Sequence, residues 1–183
     1  PIVMNTHEEL RQAYEDLRKG SAEAFHLLYE AYQQRIYRFC LRILGDKDAA
    51  ADAFQETFIK VFEHRCDFRG TNFTSWIYTI ARHTCLNVIR ARKEHEEINE
   101  EFHQPVDAEV SDPAMKKFIA DAIAKLPVAM REAVVLREYE DCSYNEIAEI
   151  LGIDYSLAKV RVHRARLILR KLLKPLVKEY YES

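Results

Sequence analysis

Residues 141–171 read DCSYNEIAEILGIDYSLAKVRVHRARLILRK, and this stretch predicts two helices joined by a sharp turn. Ser143 is a good N-cap residue, and Glu146, three positions on, completes a capping box. Ile147, Ala148 and Leu151 recur at helical spacing. Gly152 then stops the helix, because glycine accepts a positive φ without a Cβ penalty. Asp154 is placed to cap a second helix that runs past Arg166. Ala148, Gly152 and Ala158 supply what a helix-turn-helix needs: a small residue where the helices touch, a flexible one in the turn, and a small apolar one on the second helix.

The second helix carries the charge. Lys159, Arg161, Arg164, Arg166, Arg170, Lys171, Lys174 and Lys178 fall within it, and no acidic residue lies among them. A helix of this kind suits the major groove of DNA, where cations reach base edges and phosphates. A basic helical face can simply be solvated; its coincidence with the turn is what favours DNA.

The rest of the chain supports this stretch. With 183 residues, 4 Gly and 5 Pro amid abundant helix formers, the chain is expected to be all-α, built as two small helical domains. The formal net charge of −3 excludes a general nucleic-acid coat, so DNA contact must come from local basic patches. Cys40, Cys66, Cys85 and Cys142 are far apart and form no metal-ligand spacing; Cys40 and Cys85 lie in apolar helical patterns and read as buried thiols. No metal and no cofactor is expected. No secretory signal opens the chain and no apolar run is long enough for stable membrane insertion, so a reduced, cytoplasmic setting is expected.

Ahead of the acidic stretch, a short amphipathic helix is expected between Thr6 and Gly20. A stronger one starts at Ser21, with Phe25, Leu28, Tyr29, Tyr32, Ile36, Phe39, Cys40 and Ile43 at three- and four-residue steps, and closes at Gly45. Asp46 or Asp48 can cap the next, DAAADAFQETFIKVFEH. A loop, CDFRGTNF, leads into TSWIYTIARHTCLNVIRARK, which has a packing face and a basic side. An aromatic and basic loop of this kind can grip single-stranded nucleic acid, with bases stacked on rings. Equally, Phe68 and Phe73 can plug the top of a helical bundle. Residues 94–112, EHEEINEEFHQPVDAEVSD, hold eight carboxylates and no Lys or Arg, and read as an acidic linker. The expected division is therefore 1–93, linker 94–112, and 113–183. The second part reads as four helices, beginning at Asp112-Pro113 and restarting after Leu126-Pro127; Pro175 is expected to limit the last one.

The two halves together resemble the extracytoplasmic-function group of bacterial RNA polymerase sigma factors. The resemblance rests on Asp52–Phe58 (DAFQETF), Phe68-Arg69-Gly70, Phe73–Arg82 (FTSWIYTIAR), Leu126-Pro127, Arg131, Tyr144–Glu149, Leu151-Gly152 and Lys159–Arg166, and covers roughly residues 21–175. It implies a factor that binds core RNA polymerase, directs it to promoters and assists melting. It implies that Asp52, Gln55, Glu56, Phe58 and Phe62 meet the clamp of the largest subunit, with further contact to the flap. It implies that Arg69, Asn72, Phe73, Thr74, Trp76, Arg82 and Arg90 engage the minus-ten element, where a flipped base is held and phosphates are met. It implies that Lys159, Val160, Arg161, His163, Arg164 and Arg166 engage the minus-thirty-five element, Arg161 and Arg166 as phosphate or packing residues. The linker would thread the polymerase cleft, and an anti-sigma factor would hide the DNA-binding faces. The chain departs from the family where Leu157-Ala158-Lys159-Val160 replaces the usual Thr-Val-Lys-Ser, and where His83 replaces Asn. No metalloprotease motif, phosphate-cradling glycine loop or nucleophile elbow is present, so the chain is not expected to be an enzyme.

Overall fold

The structure, a computed structural model, describes residues 7–69, 72–95 and 112–181. Among them there are eight helices and no strand. Four come from the first half: α1 (His7–Arg18), α2 (Ala22–Leu44), α3 (Lys47–Glu63) and α4 (Phe73–His95). Four follow the acidic segment: α5 (Pro113–Ala124), α6 (Val128–Glu138), α7 (Tyr144–Leu151) and α8 (Tyr155–Tyr181).

Local chemistry sets most boundaries. Ser21 Oγ accepts the Ala24 N–H at the start of α2, and Gly45, at φ 69°, ends it. Of the two possible caps for α3 the structure uses Asp46, whose Oδ1 accepts the Ala49 N–H at 2.7 Å. Asp112 caps α5 with Pro113 in its first turn, where a missing N–H costs nothing. The expectation for Pro175 is corrected: α8 runs through it to Tyr181. A proline in a helix removes one backbone bond and bends the axis, and this long helix continues around that gap.

The first half is held by aromatic residues. Tyr14 of α1 stacks on Phe73 at 4.6 Å, and Phe68 and Trp76 close around the same ring. Tyr29, Phe54 and Phe58 form a second group between α2 and α3. Cys40 and Cys85 are buried thiols, as their patterns imply, and so is Cys142. The second half is smaller: Ala133, Val135 and Leu136 of α6 and Ile147 and Ile150 of α7 pack with Ala158 and Val162 of α8.

The two halves share one apolar cluster, with α2 and α4 meeting α5, α6 and α7. Arg131 of α6 pins this junction. Its guanidinium donates to Ile43 O at the end of α2 at 2.6 Å, to Leu126 O at 3.1 Å, and to Ala124 O. One side chain thus meets carbonyls that helix ends leave without intrahelical partners.

A candidate nucleic-acid interface in two parts

The turn between α7 and α8 is built as its sequence requires. Ser143 Oγ accepts the Glu146 N–H and Glu146 Oε2 accepts the Ser143 N–H, so the capping box is complete. Gly152 sits at φ 64°, a conformation that L side chains rarely adopt. Asp154 Oδ1 accepts the Leu157 N–H at 2.8 Å and starts α8. Ala158, Val162 and Ala165 then face inward and are fully buried. A helix turns about 100° per residue, so the neighbouring positions must point away. Lys159, Val160, His163 and Arg164 are accordingly exposed, with Leu157 beside them. Arg161 is half-buried and lies close enough to Glu132 to affect its charge. Arg166 is committed elsewhere: its Nε donates to Glu138 Oε1 of α6 at 2.7 Å, which joins α8 to its support. Of its two expected roles, packing is the one its position serves.

The second part, around the start of α4, is built differently. Asn72 is its N-cap. Its Oδ1 accepts the Ser75 N–H at 3.1 Å, while its Nδ2 donates to Glu146 Oε1 of α7 at 3.0 Å. Both ends of the amide are therefore occupied. Thr74 Oγ1 bonds the Tyr32 hydroxyl at 2.8 Å. Phe73 is only 1% exposed and packs among Tyr14, Tyr32, Phe68 and Trp76. The expectation of Phe73 as a minus-ten contact is at odds with this burial; of the two readings of the loop, the plug at the top of the bundle is the one its position serves. Trp76 is half-buried in the same group. Arg69 and Arg90 are exposed. Arg82, expected to meet phosphate, instead faces Glu132 of α6 across 2.9 Å.

Two carboxylates of the second half organise this boundary. Glu140 accepts a hydrogen bond from the Tyr78 hydroxyl and one from Arg35 Nε at 3.4 Å, with Arg42 Nη1 at 3.7 Å. Burial pushes its carboxyl up from the usual range, and Tyr78, Arg35 and Arg42 oppose that rise. Burial also pushes up Glu132, opposed chiefly by Arg82. The Arg82 Nε and Glu132 Oε1 atoms are close but lack the alignment of a hydrogen bond. Asp141, at φ 53°, makes the turn that carries Glu140 inward; Asp is one of the few residues besides glycine that tolerate it. Arg35 and Arg42 were absent from the sequence-based candidates. Their only signal is a seven-residue interval on a helix read mainly for its apolar stripe.

A third surface lies on α3. Asp52, Gln55 and Glu56 are exposed there, and Glu56 pairs with Lys60 at 3.2 Å. Phe58 is buried, whereas Phe62 is exposed. Phe25, Tyr29, Phe54, Phe58, Phe62 and the exposed Ile59 border an open apolar groove of about 560 Å³. Among the described residues no helix is long and apolar enough to cross a membrane. The acidic linker falls largely on residues 96–111, outside the described residues, as does Gly70.

A helix-turn-helix with an outward basic helix, set beside a larger helical unit with its own basic face, defines a DNA-binding protein of bipartite design. Comparison with known proteins makes this specific. The family model of Sigma-70 region 2 matches residues 28–95, and that of Sigma-70 region 4 matches residues 119–169. The RNA polymerase sigma-H factor of Pseudomonas aeruginosa is 34% identical over 96% of this chain and 100% of its own. The ECF RNA polymerase sigma factor SigW of Bacillus subtilis is 32% identical over 91% of this chain and 98% of its own. Among solved structures, the sigma factor RpoE of Bartonella quintana, in complex with the anti-sigma factor NepR, aligns with a TM-score of 0.73 and 26% identity over 84% of this chain and 98% of that one. The chain belongs to the extracytoplasmic-function RNA polymerase sigma factors. It is a transcription initiation factor that works with core RNA polymerase at promoters, and it is not an enzyme.

Proposed function

We propose that promoter reading is divided between residues 1–93 and 113–183, joined by the acidic linker 94–112. Lys159, Val160, His163 and Arg164 reach base edges of the minus-thirty-five duplex, and Arg161 serves a phosphate. The observation that carries this reading is the row of exposed side chains opposite buried Ala158, Val162 and Ala165 on a fully capped helix-turn-helix. Val160 offers an apolar surface suited to a thymine methyl rather than a hydroxyl suited to a hydrogen bond.

In the minus-ten half, Arg69, Asn72, Thr74 and Trp76 engage the non-template strand and assist melting, with Arg82 and Arg90 at its backbone. Asn72 and Arg82 become available once α6 and α7 move away. Holding an unpaired base offsets part of its unstacking cost, on the order of a few kcal/mol. Asp52, Gln55, Glu56 and Phe62 meet the polymerase clamp, supported from below by buried Phe58; the second half meets the flap. The linker carboxylates occupy the path of nascent RNA by charge complementarity. The protein works in the cytoplasm, and an anti-sigma factor restrains it, as NepR accompanies the Bartonella relative.

Reconstitution tests this reading. Core polymerase with this chain should yield transcripts from promoters selected out of a random pool, and Arg164→Ala should change the selected minus-thirty-five sequence. Absence of any promoter-dependent transcript overturns the proposal.

A further inference from the structure

We infer that Arg35 and Arg42 of α2, together with Arg82 of α4, form a binding surface for the phosphodiester backbone of a DNA strand, which Glu140 and Glu132 mask by standing in for phosphates. The inference rests on the minus-ten reading above, which already holds Arg82, and adds Arg35 and Arg42 to it.

The placement of the arginines is the first ground. Arg35 and Arg42 are seven positions apart, two turns of α2, so they share one face and lie about 10 Å apart along the axis. Ile36, Phe39, Cys40 and Ile43 occupy the adjoining side and are fully buried. The shared face looks toward the C-terminal half, as does Arg82 from α4. The carboxylates that meet these three side chains both come from α6 and the turn after it. Arg92 shows the contrast: it pairs with Asp46 at 3.5 Å and Leu44 O at 3.2 Å, within its own half.

The quality of the contacts is the second ground. Charge-assisted N–H···O bonds at ideal length are about 2.7–2.9 Å. The Glu140 carboxylate holds Arg35 at 3.4 Å and Arg42 at 3.7 Å, while the Glu140 backbone O accepts from Arg35 Nη2 at 3.2 Å. Glu132 comes within 2.9 Å of Arg82 without hydrogen-bond alignment. Each carboxylate therefore neutralises its arginines without saturating their donors. A phosphate offers more acceptor directions on a larger anion, and Arg is suited to meet it with a planar fork. If α6 swings away, Arg42, Arg82 and the Tyr78 hydroxyl are uncovered beside Arg35, whose side chain is already 45% exposed. A backbone passing the start of α4 would then follow them.

The test uses holoenzyme and a fluorescent single strand carrying the selected minus-ten sequence, titrated over a range of salt. Each phosphate neutralised on a single strand contributes a log–log slope of about −0.7. Arg35→Gln with Arg42→Gln should flatten the slope by about 1.4. Arg35→Lys with Arg42→Lys, which keeps both charges, should leave it near that of the unaltered protein. In free protein, Glu132→Lys with Glu140→Lys, which turns each contact repulsive, should bind the same strand about tenfold more tightly, because a weaker mask raises the competent fraction. Circular dichroism confirms that each variant is folded. If folded glutamine variants support transcription with an unchanged salt slope, the inference is overturned. It is equally overturned if the arginines prove to govern capture of an Asp/Glu-rich peptide and not of the strand. If the unaltered holoenzyme makes no specific transcript, it is the promoter-reading proposal that fails.

Discussion

The two DNA-facing parts of this molecule are prepared in opposite ways. The outward row on α8 is exposed, its supporting residues are buried, and its caps are complete. Around α4, Asn72 is engaged by Glu146 and Arg82 by Glu132, both from the other half, while Arg69 and Arg90 are exposed. Under the proposed division of promoter reading, the contrast follows what each part reads. A duplex minus-thirty-five element exists before polymerase arrives, so its reader needs no preparation. A melted minus-ten strand exists only after opening, and unpaired cations on an apolar bundle would meanwhile attract any polyanion. On that proposal, partly covering one reader and leaving the other free lets the factor find duplex DNA while limiting its hold on strands.

The largest expected effect comes from breaking the cover. Glu132→Ala leaves Arg82 facing a buried gap, and stranding one member of a buried pair costs about 3–5 kcal/mol. Urea unfolding followed at Trp76, the one tryptophan of the chain, would report it from the N-terminal half. A loss seen only by probes in the C-terminal half would mean that the pair serves α6 alone, and the contrast between the two readers would weaken.

A second effect is set by pH. Burial raises the carboxyls of Glu132 and Glu140, so the packed arrangement holds protons more tightly than the separated one. Their contribution to packing is fully present below the ordinary carboxylate range and is lost as pH rises through the raised values. The halves should therefore separate more readily toward neutral pH. Energy transfer between labels on α3 and α8 should fall over that window, and Glu132→Gln with Glu140→Gln should flatten the change.

These contacts also mark where sequence reasoning stops. Ser143, Glu146, Gly152, Asp112 and Pro113 were legible because capping is local: the donor and acceptor lie within a few residues. The direction of the α8 side chains was legible for the same reason, since it follows from helical period alone. The cover was not. Arg35 meets Glu140 over 105 positions and Asn72 meets Glu146 over 74, and nothing local to either partner announces the other. Asn72 looked like a base reader because an exposed amide in an aromatic loop suits that task, yet the same amide is a good helix cap. Phe73 was open to two readings, and only burial separates them. Pro175 was read by its usual effect, and α8 continues regardless.

Next in size is Arg164→Ala. If Arg164 contacts a base, it should cost about 1–3 kcal/mol of discrimination at one position of the minus-thirty-five element. Binding to duplexes altered one base pair at a time separates this from a phosphate contact, which would weaken all sequences alike. Because Arg164 is exposed in the packed arrangement, the free protein should show the same pattern as the holoenzyme. A pattern seen only in holoenzyme would mean that this reader, too, needs preparation.

The smallest effect tests how the two parts are joined. Glu146 divides its carboxylate: Oε2 accepts the Ser143 N–H at 2.8 Å, and Oε1 accepts from Asn72 at 3.0 Å. Accepting these bonds helps hold its carboxyl below the ordinary range despite some burial. Ser143→Ala removes one capping bond and should cost about 1 kcal/mol. Asn72→Ala removes the cross-half bond and the α4 cap together. If Glu146 is a rigid element of the α7 turn, the two losses should add. If the cap holds Glu146 in place for Asn72, the double variant should lose less than the sum, by more than the roughly 0.5 kcal/mol expected of independent sites. Coupling of that size would mean that the helix-turn-helix positions the cover over the minus-ten reader through its own capping box, so that the exposed reader and the covered one are built from the same turn.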